Sequence, residues 1–293
     1  MKRAGLAAEL IEATNAPGHS IAPAAFAIAR IEYPRLDTAQ YLALLDRLGD
    51  QARRFIEQRA EQSHDTSMLA CIKSFNEFLF LEQGFSGNRD RYDDPRNSCL
   101  NQVLERRVGL PITLSLVYME VGQRAGLRIE GVNFPGHFLV RCPEIAGRGR
   151  AGLIVDPFGG GALLSEADCA NLLEKHVGKD VAFSRSLLAP ATRRQIVLRM
   201  LLNLKRLYVH MRSFPQARLT TELLLALNPS ALNELRDRGL LAYHLNDVTG
   251  ALRDLQTYLK LSSMSDADKD TRQEYEQIWE HVKTLRRRVA SLN

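Results

Sequence analysis

The stretch that decides the fold is 91-RYDDPRNSCLNQVLERRVGLPITLSLVYMEVGQRAGLRIEGVNFPGHFLVRC-142, followed after a turn by 153-LIVDPFGGG-161. Inside it, residues 112–125 carry apolar side chains on almost every face of a helix. Pro111 stands at the first-turn position that proline favours, and Gly126 follows as a stop signal. A helix that is apolar nearly all round must be enclosed by other elements. We therefore expect 112–125 to be the central helix of a domain.

Three short strands are predicted after this helix, and they cover 128–132, 137–142 and 153–155. The last two flank a segment rich in glycine and arginine, as the strands of an antiparallel hairpin do. His137 opens one of these strands and Asp156 follows the other, at nearly equal distances from a turn near Gly147. This pairing predicts that the His137 and Asp156 side chains lie next to each other.

Helices are predicted on the N-terminal side of this core. Asp37 is a suitable N-cap for a helix with apolar residues at three- and four-residue spacing, and residues 72–81 form a second amphipathic pattern. A short helix is expected at 3–14. Ser98 is expected to cap another short helix just before the central one.

From about Thr192 the chain changes to helices with an internal period. Similar residues stand 34 positions apart, in the pairs Leu201 and Leu235, Tyr208 and Ala242, Ala217 and Ala251, and Leu225 and Leu259. A period of about 34 residues is that of the tetratricopeptide repeat. Two repeats and a capping helix at 266–292 are expected. The predicted domains are 1–190 and 191–293, an α+β domain with a small antiparallel sheet followed by an all-α repeat domain.

Composition favours a cytoplasmic protein. The chain of 293 residues has 39 basic and 34 acidic side chains, interspersed, for a net charge of +5. No aromatic–basic module suggests nucleic acid binding, and no apolar run is long enough to cross a membrane. The four cysteines, Cys71, Cys99, Cys142 and Cys169, form no CxxC pair, so we expect reduced thiols, no metal site and no cofactor.

The core stretch resembles the SirB1 family of bacterial proteins, in which a transglutaminase-like domain precedes tetratricopeptide repeats. The resemblance rests on three segments in fixed order, GFSGNRDRYDDPRNSCLNQVLERRVGLPITLSLVYMEVG, GVNFPGHFLVR and VDPFGGG. It covers nearly the whole chain. It implies a papain-like fold whose relatives use a cysteine nucleophile at the start of a buried helix, a histidine and an aspartate.

That pattern falls on this chain with one substitution. The positions that match are Gly109, Gly126, His137 and Asp156, but the nucleophile position falls on Pro111. A thiolate at a helix N-terminus is stabilised by the helix dipole and by a neighbouring imidazolium. Proline supplies neither a thiol nor the backbone N–H that commonly stabilises an oxyanion. Two parts of a thiol mechanism are therefore missing.

Several residues stay open as site candidates. The pair His137 and Asp156 is either a remnant of a triad or a hydrogen bond that locks the hairpin, and we favour the second interpretation. Cys99 is a conceivable substitute nucleophile, although a free cysteine is more often a buried packing residue. Further candidates for a cleft mouth, in which turn and cap chemistry is the simpler interpretation, are Asp93, Asp94, Arg96, Asn97 and Asn133.

The leading hypothesis is a non-catalytic binding or regulatory protein on a degenerate thiol-enzyme fold. Its partner would be a protein or peptide that the helical repeats hold, since stacked repeats form concave binding surfaces. The alternative is an enzyme. It would be a thiol hydrolase or acyl transferase that uses Cys99 with His137 and Asp156, or a hydrolase whose His/Asp pair activates water.

Overall fold

A computed structural model describes residues 3–18, 20–143, 152–262 and 269–290. The chain divides into two compact units, one comprising Glu12–Met200 and the other comprising Met1–Ile11 with Leu201–Asn293. The first is an α+β unit and the second is all helical, which confirms the predicted fold class. Among the described helices, none has the length and apolar composition needed to span a membrane.

Four helices precede the core, and they are α1 Arg3–Asn15, α2 Ala22–Ala29, α3 Thr38–Ser63 and α4 Met68–Asn76. Asp37 caps α3 as predicted, because its side chain accepts a hydrogen bond from the Ala39 N–H at 3.1 Å. Helix α4 continues into a turn of π-helix at Glu77–Glu82. Helix α2 was not predicted from the sequence.

The segment before the central helix contains β1 Ser86–Gly87, a 3-10 turn at Pro95–Ser98, α5 Leu100–Arg106 and β2 Val108–Gly109. Strands β1 and β2 pair in parallel. The expectation that Ser98 caps α5 is wrong, because Cys99 occupies the N-cap position. The Ser98 hydroxyl is buried and has no hydrogen-bond partner within the described residues.

Helix α6, Pro111–Arg124, is the central helix that the sequence predicts, and twelve of its residues are buried. One of them is charged. The Glu120 carboxylate accepts hydrogen bonds from the backbone N–H groups of Ile21 and Ala22, at 2.5 and 3.0 Å, and from Arg124 at 2.6 Å. Glu120 thereby satisfies N–H groups at the start of α2 from a position about 100 residues along the chain.

The sheet that follows has four antiparallel strands in sequence order, β3 Glu130–Val132, β4 Leu139–Cys142, β5 Leu153–Asp156 and β6 Ala162–Leu164. Val140 pairs with Val155 and Cys142 with Leu153, which confirms the predicted hairpin. The turn near Gly147 lies outside the described residues. Helix α7, Glu166–Val177, comes next, and residues from it pack with the sheet in a cluster of Val132, Phe134, Leu139, Cys169 and Leu173.

The repeat region contains α8 Arg193–His210, α9 Phe214–Leu227, α10 Leu232–His244, α11 Val248–Leu261 and α12 Lys269–Ala290, after a 3-10 turn at Arg185–Leu188. Helix α12 supplies Ile278, Val282 and Leu285 to a core shared with α11. Gly239 lies where a Cβ atom would come within 2.7 Å of the Leu255 side chain, so the small residue permits close helix packing. This arrangement confirms two helix pairs followed by a capping helix.

Candidate functional site

The structure brings His137 and Asp156 together. His137 Nε2 lies 2.9 Å from Asp156 Oδ1, and the Phe158 N–H donates to the same oxygen at 3.0 Å. The Gly161 N–H donates to the Asp156 carbonyl at 2.9 Å, so the PFGGG turn folds back onto the aspartate. Since β4 and β5 are adjacent, the hairpin register places the two side chains at one end of the sheet. The Asp156 carboxylate therefore fixes the orientation of the His137 imidazole.

Aromatic rings enclose the imidazole of His137. The ring of His176, from α7, stacks on it with centroids 5.5 Å apart, and the ring of Phe158 meets it edge-on at 5.9 Å. Gly136 has φ of +69°, and a Cβ there would lie 2.4 Å from the His176 Cβ, so only glycine allows this approach. Partial desolvation and the nearby His137 and Lys175 lower the pKa of His176, although the residue as a whole is exposed.

The PFGGG turn is held from α4, which sequence reasoning did not find. The Asn76 amide donates to the Gly161 carbonyl at 2.7 Å and its oxygen accepts from the Tyr118 hydroxyl at 2.8 Å. Asn76 therefore links the central helix to the turn that carries Asp156. A lone asparagine within an amphipathic pattern gives no sequence signal for this role.

The N-terminus of α6 lies beside the strand that begins near His137. Ser115 Oγ lies 3.4 Å from the Phe138 carbonyl, one residue after His137. Pro111 precedes Ser115 by one helical turn and therefore projects from the same face of α6. The Leu110 N–H, just before the helix, is satisfied by Thr113 Oγ1 at 2.9 Å. Pro111 thus begins the helix at the position where a thiol enzyme would place its nucleophile.

Cys99 lies in surroundings that disfavour a thiolate. The residue is 1% exposed, and its Sγ lies 3.7 Å from the Pro95 carbonyl. Burial, with smaller contributions from the charges of Glu32 and Asp94, raises the pKa of Cys99 to about 12. A nucleophilic cysteine requires the opposite shift. Burial also raises the pKa of Cys142 and Cys169, to about 12 and about 11.

Two of the loop candidates, Asp94 and Arg96, mainly hold the loop itself together. The Asp94 side chain caps the 3-10 turn by accepting from the Arg96 N–H at 3.0 Å, and the Arg96 guanidinium donates to the same carboxylate at 2.7 Å. Arg106 lies 3.6 Å from Asp94. The neighbouring Asp93 is exposed. A role for these residues in ligand binding stays a prediction.

Asn97 is fully buried and forms hydrogen bonds with Asn88, Arg91 and Thr113. Its amide donates to the Arg91 carbonyl at 2.6 Å, its side-chain oxygen accepts from Asn88 at 2.9 Å, and its carbonyl accepts from Thr113 Oγ1 at 2.7 Å. Asn97 therefore ties the loop to the first turn of α6. Asn133, at the end of β3, instead accepts from Arg199 Nη1 at 3.0 Å.

The donor groups around His137 do not form a metal site. Within the described parts of the chain, no group of three or more His, Cys, Asp and Glu side chains is arranged to hold a metal ion.

These features define a transglutaminase-like α+β domain that is followed by helical repeats. A family profile described as the transglutaminase-like superfamily matches residues 39–202, and a tetratricopeptide-repeat profile matches residues 204–279. The chain belongs to the transglutaminase-like superfamily, among the SirB1-like proteins with C-terminal repeats.

Two bacterial relatives that match over most of their length support this assignment. A UPF0162 protein of Xylella fastidiosa is 40% identical over 240 residues, which cover 81% of this chain and 82% of that protein. Protein SirB1 of Salmonella typhimurium is 26% identical over 74% of this chain and 77% of its own. The human F-box only protein 21 is 36% identical over 110 residues, which cover 36% of this chain and 18% of that protein. No solved structure matches the chain.

Proposed function

We propose that this protein is a non-catalytic, cytoplasmic binding or regulatory protein, which recruits a protein or peptide partner through its helical repeats. The transglutaminase-like unit keeps the scaffold of a thiol enzyme without its nucleophile. The repeat unit supplies stacked helix pairs, an architecture that generally binds peptides or helices of partners.

The observation that carries this proposal is the identity of residue 111 in its structural setting. Pro111 begins α6 and is buried, with no thiol and no N–H to offer an acyl intermediate. The cysteine nearest in sequence, Cys99, is buried with a raised pKa. In this proposal the His137 and Asp156 pair holds β4, β5 and the PFGGG turn in register, and the hydrogen bonds to Asp156 Oδ1 support that role.

Photo-cross-linking in the full-length chain tests where a partner binds. A benzoylphenylalanine at the exposed position Asn233 on α10 is compared with one at the exposed position Gln58 on α3. We expect Asn233 to trap a defined protein from the native cytoplasm, while Gln58 does not. Recovery of the same proteins from both positions, or of none from either, would contradict recruitment by the repeats.

A second candidate function, hydrolysis by a water that His137 activates, is favoured by the intact geometry of the pair. An imidazole oriented by a carboxylate at 2.9 Å is a competent general base. An activated ester such as p-nitrophenyl acetate provides the test, with His137→Gln as the variant and His210→Gln as a control at an exposed histidine. If the rate of ester hydrolysis falls at least about tenfold in His137→Gln and does not change in His210→Gln, the protein is a hydrolase and the non-catalytic proposal is wrong.

A further inference from the structure

The guanidinium of Arg107, at the end of α5, is partly buried and has no counter-ion among the described residues. Its Nη1 atom is buried and donates no hydrogen bond to any residue that the structure describes. Burial lowers the pKa of Arg107, and no charge on a described residue offsets that effect. A partly buried cation without a negative partner is costly, so an anion brought by a ligand would be stabilising.

One edge of this guanidinium, formed by Nε and Nη2, is open to solvent. Of its three nitrogens only Nη1 is both buried and unpaired, so Nε and Nη2 keep contact with solvent, and neither has an acceptor within the described residues. The same edge holds a carboxylate elsewhere in the chain. Arg96 Nε and Nη2 donate to Asp94 at 3.0 and 2.7 Å, and Arg238 Nε and Nη2 donate to Asp254 at 2.5 and 3.0 Å. A carboxylate therefore fits the free edge of Arg107 in the same bidentate geometry.

The backbone and an aromatic ring hold Arg107 in place. Its N–H donates to the Val103 carbonyl at 2.9 Å, and its carbonyl accepts from the Ser86 N–H at 2.8 Å. Its Cζ lies 4.5 Å from the centroid of the buried Phe85 ring, as in a cation–π contact. The φ angle of Arg107 is +62°, a left-handed conformation that favours glycine. The backbone thus gives no reason for an arginine here, and the reason lies in its side chain.

We propose that the Nε and Nη2 edge of Arg107 binds the carboxylate of an aspartate or glutamate side chain from a partner protein. A carboxylate supplies the missing negative charge and accepts from both donors at once, and a guanidinium that is already held in place loses little freedom on binding. Leu81, which is 76% exposed, stands on the π-helical turn that leads into Phe85. An apolar contact next to an arginine anchor favours an acidic peptide segment over a free anion. The residues of this site belong to the α+β unit, so the proposal does not depend on recruitment by the repeats.

The test uses the full-length protein and two short peptides, acetyl-Leu-Glu-Leu-amide and its glutamine counterpart, at constant ionic strength. In ¹H–¹⁵N NMR spectra the glutamate peptide should shift the side-chain Nε–H signal of Arg107 and the backbone signal of Ser86. Its affinity should be about tenfold above that of the glutamine peptide. The Nε–H signal of Arg54, which is exposed on α3, should shift far less. Inorganic phosphate should bind more weakly than the glutamate peptide, because it lacks the apolar contact.

Variants of Arg107 test the role of its side chain, with the Ser86 signal as the readout. Arg107→Gly should abolish the preference for glutamate over glutamine, and it should fold, since glycine adopts a φ of +62° without strain. Arg107→Lys keeps the charge and should weaken binding of the glutamate peptide several-fold, because an ammonium lacks the planar fork. Arg54→Lys is the matched control and should change nothing.

Three results would overturn the proposal. They are equal affinities for the glutamate and glutamine peptides, unchanged binding in both Arg107 variants, and tighter binding of phosphate than of the glutamate peptide, which would indicate a site for a free anion. The cross-linking result at Asn233 has no bearing on these outcomes.

Discussion

Pro111 occupies the position that the resemblance to thiol enzymes assigns to the nucleophile, and placing a thiol there tests the proposal that only the nucleophile is missing. In Pro111→Cys the introduced side chain would sit at the N-terminus of α6, on the face that contacts the strand after His137. The helix dipole and a neighbouring imidazolium stabilise a thiolate. We expect iodoacetamide to modify this thiol at least about tenfold faster than Cys99 near pH 7, as measured by peptide mass spectrometry.

The double variant Pro111→Cys with His137→Gln is the control for the role of the imidazole. Its introduced thiol should react more slowly than in the single variant, while Cys99 stays slow in both. A thiol at position 111 that reacts no faster than a free model thiol would show that the catalytic surroundings, and not only the nucleophile, are lost.

Glu120 is the buried residue that holds the start of α2. Glu120→Ala leaves the N–H groups of Ile21 and Ala22 and the Arg124 guanidinium without their common acceptor in a buried place. We expect a loss of about 3 to 5 kcal/mol in the free energy of unfolding, measured by urea denaturation. Glu57→Ala, at an exposed position on α3, should cost less than about 0.5 kcal/mol. A loss of under about 1 kcal/mol in Glu120→Ala would contradict the buried role.

His176 gives the stability of the α+β unit a dependence on pH. Its pKa in the folded chain lies below the ordinary value of 6.5, because partial desolvation, His137 and Lys175 disfavour the charged form more than Asp156 favours it. As the pH falls below 6.5, the unfolded chain therefore takes up the proton first. The free energy of unfolding should therefore be highest above pH 6.5. It should decline as the pH falls, until the pH lies below the pKa of His176 in the folded chain.

Urea midpoints measured by circular dichroism between pH 8 and pH 5 check this expectation. The decline with falling pH should be smaller in His176→Gln than in the natural chain, and unchanged in His210→Gln at the exposed end of α8. A decline of the same size in all three proteins would mean that another group is responsible.

At the scale of elements, the sequence predicted those whose signals are local. Helix α6 was found because its apolar run lies between Pro111 and Gly126, and the β4–β5 hairpin because two apolar strands flank a glycine-rich turn. The juxtaposition of His137 and Asp156 followed from that hairpin alone. In α6 and in the β4–β5 hairpin, the local sequence pattern and the tertiary contacts favour the same structure, as expected for a strongly specified core.

The missed elements depend on contacts that no local pattern records. Helix α2 is eight residues long, and its first N–H groups are satisfied by Glu120. Its N-cap residue makes no side-chain capping bond, so the local sequence gives no signal for the start of this helix. The cap expected at Ser98 failed because the 3-10 turn, capped by Asp94, shifts the start of α5 by one residue. The stacking of His176 on His137 and the Asn76 link to Gly161 likewise join positions that are far apart in sequence.

At the scale of the whole molecule, the division into two units predicts that unfolding is not a single transition. The chain has one tryptophan, Trp279 on α12, so its fluorescence reports on the repeat unit, whereas circular dichroism reports on both units. Val282→Ala, which leaves a cavity in the core between α11 and α12, should lower the urea midpoint seen by tryptophan fluorescence, at a cost of about 2 kcal/mol.

Glu120→Ala is the matched variant in the other unit, and it should leave the fluorescence midpoint unchanged while it lowers a transition seen by circular dichroism. Each variant would then move one transition, because domains with separate cores unfold as separate cooperative units. If both variants shift the fluorescence midpoint by similar amounts, the two units unfold together, and the proposed boundary near residue 190 does not separate independent domains.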